Sequence, residues 1–215
     1  MALTALAPPS GRDPGDRDPG AVPIVDTSTA GKPLGWWGMI GLIASEGTLF
    51  GLLLFVALFI RANNHPWPPE GIADPELVHS GIRTAILLGS SIPAFFAERA
   101  LRNHRLTRFR TLLVVTMVMG VLFLIGHALE YLKLSKELTP TSNAYGSVFY
   151  LVTGLHAVHL TVGLVVLGYM FVQGMRGRYD TGGEPVGVQC GFLYWHFVDA
   201  VWIAVFSVLY LSERI

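Results

Sequence analysis

The stretch Tyr194-Trp195-His196-Phe197-Val198-Asp199 lies inside an apolar run that extends from residue 191 to 211. A run of about 20 residues is long enough for an α-helix to cross a bilayer. Its imidazole and carboxylate are unusual, because an ionisable group in hydrocarbon costs several kcal/mol unless it is paired, hydrogen-bonded or neutral. The stretch therefore predicts a transmembrane helix and marks His196 and Asp199 as functional candidates.

The composition of the whole chain is typical of a membrane protein. Of the 215 residues, 52% are hydrophobic and 14% are charged, and the mean hydropathy is +0.50. Such a chain is too apolar for an ordinary soluble domain. Its formal net charge is zero, so we expect no nucleic-acid partner. Cys190 is the only cysteine, which excludes an internal disulfide, a thiolate metal cluster and covalent attachment of c-type haem within this chain.

Five apolar segments predict the fold, at residues 36–60, 80–97, 112–132, 146–172 and 191–211. Backbone groups in hydrocarbon must hydrogen-bond within their own segment, so the segments are helices. We predict an all-α integral membrane bundle of five transmembrane helices, with a domain at 36–215. Residues 1–35 are rich in Pro, Gly and Asp and predict a disordered tail. The tail lacks the pattern of a cleaved signal, so we expect the first helix to direct insertion.

The distribution of Lys and Arg predicts the orientation of the bundle. Ten fall in the tail and in the second and fourth loops, whereas five, including Arg83, fall on the other side. The positive-inside rule then places the N-terminus in the cytoplasm and the C-terminus outside.

Two groups of polar side chains lie deep in the predicted helices. Glu46 follows Trp36 by ten residues, which places it roughly 15 Å deep, near the midplane of a ~30 Å hydrocarbon core. It is either a proton-linked or partner-facing acid, or one side of a structural hydrogen bond between helices. His156 and His159 are three residues apart and project from one face of the fourth helix.

A metal site is an alternative use of these groups. Glu130, His156, His159, His196 and Asp199 could form the carboxylate and histidine site of a helical bundle. However, the chain lacks the repeated Glu-x-x-His pairs of di-iron bundles, and its seven histidines are too few for a membrane desaturase. His196 and Asp199 could instead hydrogen-bond along their own helix or across to the fourth. These features favour structural hydrogen bonds over a metal site.

Known catalytic patterns are missing from the sequence. It contains no Gly-x-Ser-x-Gly elbow, no phosphate-binding loop and no dinucleotide fingerprint. We expect no catalytic site in the chain. No inverted repeat suggests a transporter, although five helices with a midplane acid keep a small proton-coupled transporter as an alternative.

Several motifs, in order, resemble subunit III of the haem-copper oxidases. The motifs cover the chain from about residue 36 to its end. They are Trp37-Gly38-Met39-Ile40, Ser45-Glu46, Trp67-Pro68-Pro69-Glu70-Gly71-Ile72, Glu130-Tyr131, Tyr145-Gly146-Ser147, Thr153-Gly154-Leu155-His156-Ala157-Val158-His159, and Tyr194-Trp195-His196-Phe197-Val198-Asp199 with Val201-Trp202.

The resemblance implies a non-catalytic subunit of a respiratory terminal oxidase in the bacterial inner membrane. Such a subunit lies beside subunit I, which holds haem and copper, in a complex that also contains subunit II. The resemblance implies that the chain itself holds no metal or other cofactor. It stabilises subunit I, binds structural phospholipid and supports proton uptake while oxygen is reduced to water. Glu46 matches the buried glutamate of the family. Arg176 and Arg178 fall near basic residues that meet lipid headgroups in some members.

The chain departs from many members in its number of helices. Many have seven, whereas this chain lacks the first two, as do the five-helix forms in some bacterial oxidases. A lipid cleft between the missing pair and the other five helices cannot be closed by this chain alone. The resemblance leaves open cytochrome c or quinol as electron donor, and an accessory subunit of a nitric oxide reductase as a further alternative.

Overall fold

The computed structural model describes residues 33–64, 77–135, 138–139, 141–179 and 185–211, which all lie in the compact unit Lys32–Ile215. Its helices are α1 (Leu34–Asn63), α2 (Leu77–Arg102), α3 (Leu106–Leu134), α4 (Ala144–Met175) and α5 (Val186–Phe206), and a π-helical turn (Ser207–Leu211) continues α5. The described ranges contain no strand, and five helices are long and apolar enough to cross a membrane. The prediction of an all-α bundle of five transmembrane helices is confirmed.

The helices are longer than the apolar segments that predicted them. Helix α1 begins at Leu34, directly after Pro33, so residues 34 and 35 belong to the helix and not to the predicted tail. Hydropathy detects the part of a helix that lies in hydrocarbon, whereas the helix continues into the polar region beyond it. The rest of the predicted tail, up to residue 32, and the motif at 67–72 lie outside the described residues.

Left-handed residues end two of the helices. After α2, His104 has φ 55°, and the N–H of Arg105 donates to the carbonyl of Ala100 at 2.8 Å. After α4, Gly177 has φ 73°, and the N–H of Arg178 donates to the carbonyl of Gln173 at 3.2 Å. Both ends have the hydrogen bond that closes a Schellman motif. These turns bring α3 back beside α2 and α5 back beside α4.

Helix α5 occupies the centre of the bundle, where it packs against α1, α2 and α4. Its Trp195 is fully buried between two glycines of neighbouring helices. A Cβ atom would lie 2.7 Å from the Trp195 ring at Gly120 of α3, and 3.1 Å from it at Gly163 of α4. The absence of side chains at these two positions therefore makes room for the indole.

The outside of the bundle is apolar. Helix α1 packs mainly on α5 and α4 and leaves much of its surface open. Large apolar side chains that are exposed on α1 include Trp37, Leu49, Leu52, Phe55 and Phe59. An exposed surface of this kind suits contact with lipid or with another membrane subunit.

Candidate functional site

The two ends of the bundle differ in charge. The turns after α2 and α4 lie at one end, which we call the basic end. It contains Arg99, Arg102, Arg105, Arg108, Arg110, Arg176 and Arg178. The described residues of the opposite end include Arg61 and Lys133. The polar side chains inside the bundle form separate clusters between these two ends.

Glu46 of α1 pairs with His159 of α4. Oε2 of Glu46 lies 3.0 Å from Nε2 of His159, and Nδ1 of the same ring lies 2.8 Å from the carbonyl of Leu155. A carbonyl only accepts, so Nδ1 carries a hydrogen, and Nε2 of a neutral ring must then accept. The Glu46 contact therefore requires one further proton, on either the carboxyl group or the imidazole. The pair is a site that can hold a proton between α1 and α4.

His196 and Asp199 of α5 meet at one serine. Oγ of Ser91 lies 3.1 Å from Nδ1 of His196, and the same hydroxyl donates to Oδ2 of Asp199. Asp199 is 3% exposed, whereas His196 and Ser91 are half-buried. The two predicted residues are thus brought together, but their partner is on α2. The predicted bonding across to the fourth helix is wrong, because this face of α5 is turned towards α2.

Glu130 of α3 lies in an ion-pair network near the opposite end of the bundle. Nη2 of Arg83 lies 2.7 Å from its Oε1, and Ser80 and Tyr210 donate to its two oxygens at 3.2 and 3.1 Å. The π-helical turn places Tyr210 in this network. Arg83 also donates to the carbonyl of Gly126 at 2.8 Å. Arg83 is 9% exposed, so it belongs to the interior and not to the charged flank where it was counted.

His156 lies in an aromatic cage and away from the other predicted residues. Its ring centroid is 4.7 Å from that of Trp202 and 6.1 Å from that of Phe123, and the residue is fully buried. His127 stacks on the same Phe123 at 5.9 Å. The imidazole of His156 has no hydrogen-bond partner among the described residues, and Nδ1 of His127 lies 3.7 Å from Oε2 of Glu130. These rings pack as flat, mostly apolar groups.

The predicted metal alternative depends on three or more ligands coming together. In the part of the chain that the structure describes, no group of three His, Cys, Asp or Glu side chains could hold a metal ion. Glu130 pairs with Arg83, His159 with Glu46, and His196 with Ser91. The candidate ligands therefore lie in separate pairs and not around one shared position, as a di-iron site requires.

Arginines line a cavity at the basic end. It has a volume of about 180 Å³ and lies at the turn between α2 and α3, where it is lined by Phe96, Arg99, Ala100, Asn103, Arg105 and Arg108. Arg176 and Arg178 are exposed in the turn after α4 and do not line this cavity. In that turn Tyr179 packs on Phe109, and burial raises the pKa of its hydroxyl.

Four residues of these clusters were not predicted from the sequence to be site residues. Ser80, Ser91 and Tyr210 are uncharged, and such residues are common in membrane helices without any special role. Arg83 is close enough to the start of its segment to be read as a flanking cation. A serine or arginine within a predicted span is a weak signal until its neighbours are known.

The sequence profile described as cytochrome c oxidase subunit III matches residues 26–213. The chain belongs to the cytochrome c oxidase subunit III family. A subunit III is part of a multi-subunit haem-copper oxidase, so the clusters belong to one component of a larger assembly.

Individual relatives agree with this assignment. The chain is 36% identical over 177 residues to cytochrome c oxidase subunit 3 of Synechocystis sp., a match that covers 81% of this chain and 74% of that protein. It is 34% identical over 178 residues to the protein of the same name from Thermostichus vulcanus, with 82% and 87% covered. The subunit 3 of Anopheles gambiae is 33% identical over 183 residues, with 81% and 68% covered. These relatives support neither the transporter nor the nitric oxide reductase alternative.

Proposed function

We propose that this chain is the non-catalytic subunit III that packs against subunit I of a respiratory haem-copper oxidase. The match over residues 26–213 carries the proposal. In this role the chain stabilises subunit I in a complex that also contains subunit II. It retains structural phospholipid and supports proton uptake during the reduction of oxygen to water. Haem and copper belong to the partner subunits.

The polar clusters support a role in assembly and proton handling. Arg83 and Glu130 tie α2 to α3, while Glu46 and His159 tie α1 to α4. Glu46 is 26% exposed as a side chain, so the acid of the second pair is accessible from the surface of the bundle. An accessible acid that shares a proton inside a membrane helix suits a subunit that exchanges protons with a neighbour.

Optical spectroscopy of the purified protein tests the assignment. The complex is extracted from its native membrane in mild detergent, and this chain is then separated from its partners. We expect haem absorption in the complex and none in the isolated chain. Haem or copper retained stoichiometrically by the isolated chain would contradict a non-catalytic role.

The bundle belongs, in this proposal, to a bacterial inner membrane with its basic end in the cytoplasm. The excess of arginine in the turns after α2 and α4 supports that orientation. The N-terminus is then cytoplasmic and the C-terminus outside.

Bound phospholipid is the remaining part of the proposal. The cavity lined by Arg99, Arg105 and Arg108 has the charge and position to receive the anionic headgroup of a phospholipid. Phe95 and Phe96 of α2 are exposed apolar side chains that can contact the acyl chains of the same lipid. Arg176 and Arg178 are a second candidate at the same end of the bundle. Mass spectrometry of the intact complex distinguishes the two. We expect Arg105→Ala with Arg108→Ala to lose one phospholipid, and Arg176→Ala with Arg178→Ala to retain it.

A further inference from the structure

Ser91, His196 and Asp199 form a chain of hydrogen bonds between two ionisable groups. The carboxylate of Asp199 can only accept, so the single hydrogen of Ser91 points to Asp199. The oxygen of Ser91 is then free to accept from Nδ1–H of His196 at 3.1 Å. The hydrogen bonds therefore run in one direction, from the imidazole through the hydroxyl to the carboxylate.

The two ends of this chain have different environments. Asp199 is buried, and its Oδ1 has no hydrogen-bond partner among the described residues. His196 is half-buried at the surface of the bundle. Glu98, which forms an ion pair with Arg102, follows Ser91 by seven residues on α2, or about 10 Å towards the basic end. Ionisable groups thus lead from the basic end to the buried carboxyl group.

A purely structural role does not account for this arrangement. Helices α2 and α5 are already joined by the indole N–H of Trp195, which donates to Ser90 at 3.0 Å, and by that of Trp202, which donates to Thr84 at 3.0 Å. These neutral hydrogen bonds fix the register of the two helices. An additional carboxylate and imidazole at this depth would add a desolvation cost without being needed for packing.

We propose that Ser91, His196 and Asp199 are a proton relay, in which Asp199 stores protons that enter from the basic end by way of His196. The relay deepens the proposed role in proton uptake and rests on it. A proton that binds Nε2 of neutral His196 makes the ring a cation. Nδ1 then passes its proton to Oγ of Ser91, while the hydroxyl proton of Ser91 passes to Oδ2 of Asp199.

The transfer is balanced and reversible. It leaves a neutral imidazole with its hydrogen on Nε2, an unchanged serine and a carboxylic acid at Asp199. The reverse sequence returns the proton to the half-buried edge of His196, where an acceptor of a neighbouring subunit or water receives it. Other ionisable groups on the helices around α5 lie outside the relay, namely the Glu46–His159 pair, the Arg83–Glu130 pair and the caged His127 and His156.

Ser91→Ala is the decisive variant, because it removes the bridging hydroxyl and keeps both ionisable groups. Proton uptake by the intact oxidase is measured with a pH-indicator dye while the reduced enzyme reacts with oxygen. We expect uptake to slow by about tenfold, less than the roughly hundredfold or more that a positioned proton-transfer group can contribute, because water offers parallel routes. Infrared difference spectra should show a carboxyl band that disappears in Asp199→Asn and shifts in Ser91→Ala.

Two matched variants serve as controls. Ser91→Thr keeps a hydroxyl and should restore most of the uptake rate. Thr161→Ala removes an exposed hydroxyl on α4 that, among the described residues, donates to the carbonyl of Ala157 in its own helix, so it should leave uptake unchanged. Should Ser91→Ala fail to assemble, Asp199→Asn must slow uptake instead.

Unchanged uptake in a fully assembled Ser91→Ala or Asp199→Asn complex would overturn the relay and leave the assignment as subunit III intact. Failure of the proposed function gives a different result. If the chain does not co-purify with haem-bearing partners, the proposed function fails. The infrared band of the isolated chain then still tests the relay, which is overturned if Ser91→Ala does not shift that band.

Discussion

Three carboxyl groups in the described part of the bundle each contact a side chain of another helix. Glu46 of α1 meets His159 of α4, Glu130 of α3 meets Arg83 of α2, and Asp199 of α5 meets Ser91 of α2. Hydrocarbon offers no solvent to replace a lost partner, so the cost of removing one depends on what the other can still do.

The Glu46–His159 pair allows a direct test of this reasoning. In Glu46→Gln, the amide N–H can donate to Nε2 of His159, so we expect the thermal stability of the complex to change little. In Glu46→Leu the imidazole loses its partner, and we expect a loss of about 1–3 kcal/mol. Thermal unfolding of the purified complex measures both. Equal destabilisation by the two variants would show that the hydrogen bond is not what matters at this position.

Substitution within the Arg83–Glu130 pair should destabilise the protein more than substitution within the Glu46–His159 pair. Arg83→Met leaves the carboxylate of Glu130 among Ser80 and Tyr210 without its cation, and we expect a loss of about 3 kcal/mol. Adding Glu130→Gln removes the unpaired charge and should recover part of the loss. Arg102→Met breaks an ion pair with Glu98 at the basic end, where Arg102 is 56% exposed, and should cost less than about 1 kcal/mol. A thermal denaturation series in which Arg83→Met is no worse than Arg102→Met would count against a buried network.

At the scale of whole helices, α5 determines how the others approach. Its Trp195 lies between Gly120 of α3 and Gly163 of α4, and its indole N–H binds Ser90 of α2. Three helices therefore converge on one side chain. Small residues in membrane helices permit this kind of close approach.

Gly120→Ala tests the convergence on Trp195. The new Cβ would lie 2.7 Å from the indole and 3.0 Å from Leu164, and overpacking of this kind costs about 1–3 kcal/mol. Gly51→Ala is the matched control, because no described atom outside its own stretch of helix backbone lies within 4 Å of its Cβ position. It should be neutral or stabilise by up to about 1 kcal/mol through helix propensity. Detergent denaturation followed by circular dichroism compares the stabilities of the two variants. Equal stability would show that Trp195 does not pack against Gly120.

For the whole molecule, the excess of arginine at one end predicts its orientation in the membrane. In a Cys190→Ala background, Asn64→Cys marks the opposite end and Arg178→Cys marks the basic end. We expect a membrane-impermeant maleimide to label position 64 in intact cells, and position 178 only after the membrane is opened. The reverse labelling pattern would invert the proposed topology.

Much of the fold follows from local pattern in the chain. Runs of apolar residues long enough to cross hydrocarbon predict five helices, because a backbone without water must bond within its own segment. The ordered motifs around Glu46, His156 and His196 were enough to indicate the family. Both signals are contained in short stretches and do not depend on which helices are neighbours.

The pairing of the polar groups depends on the packing of the helices. His196 and Asp199 were recognised from the sequence because ionisable groups are costly to place in hydrocarbon. Their partner Ser91 is 105 and 108 residues away on α2. Arg83 had the pattern of a flanking cation and became half of a buried ion pair. Hydropathy measures how well a segment tolerates lipid, whereas hydrogen bonds across helices depend on their rotation and order, and only the assembled bundle establishes these.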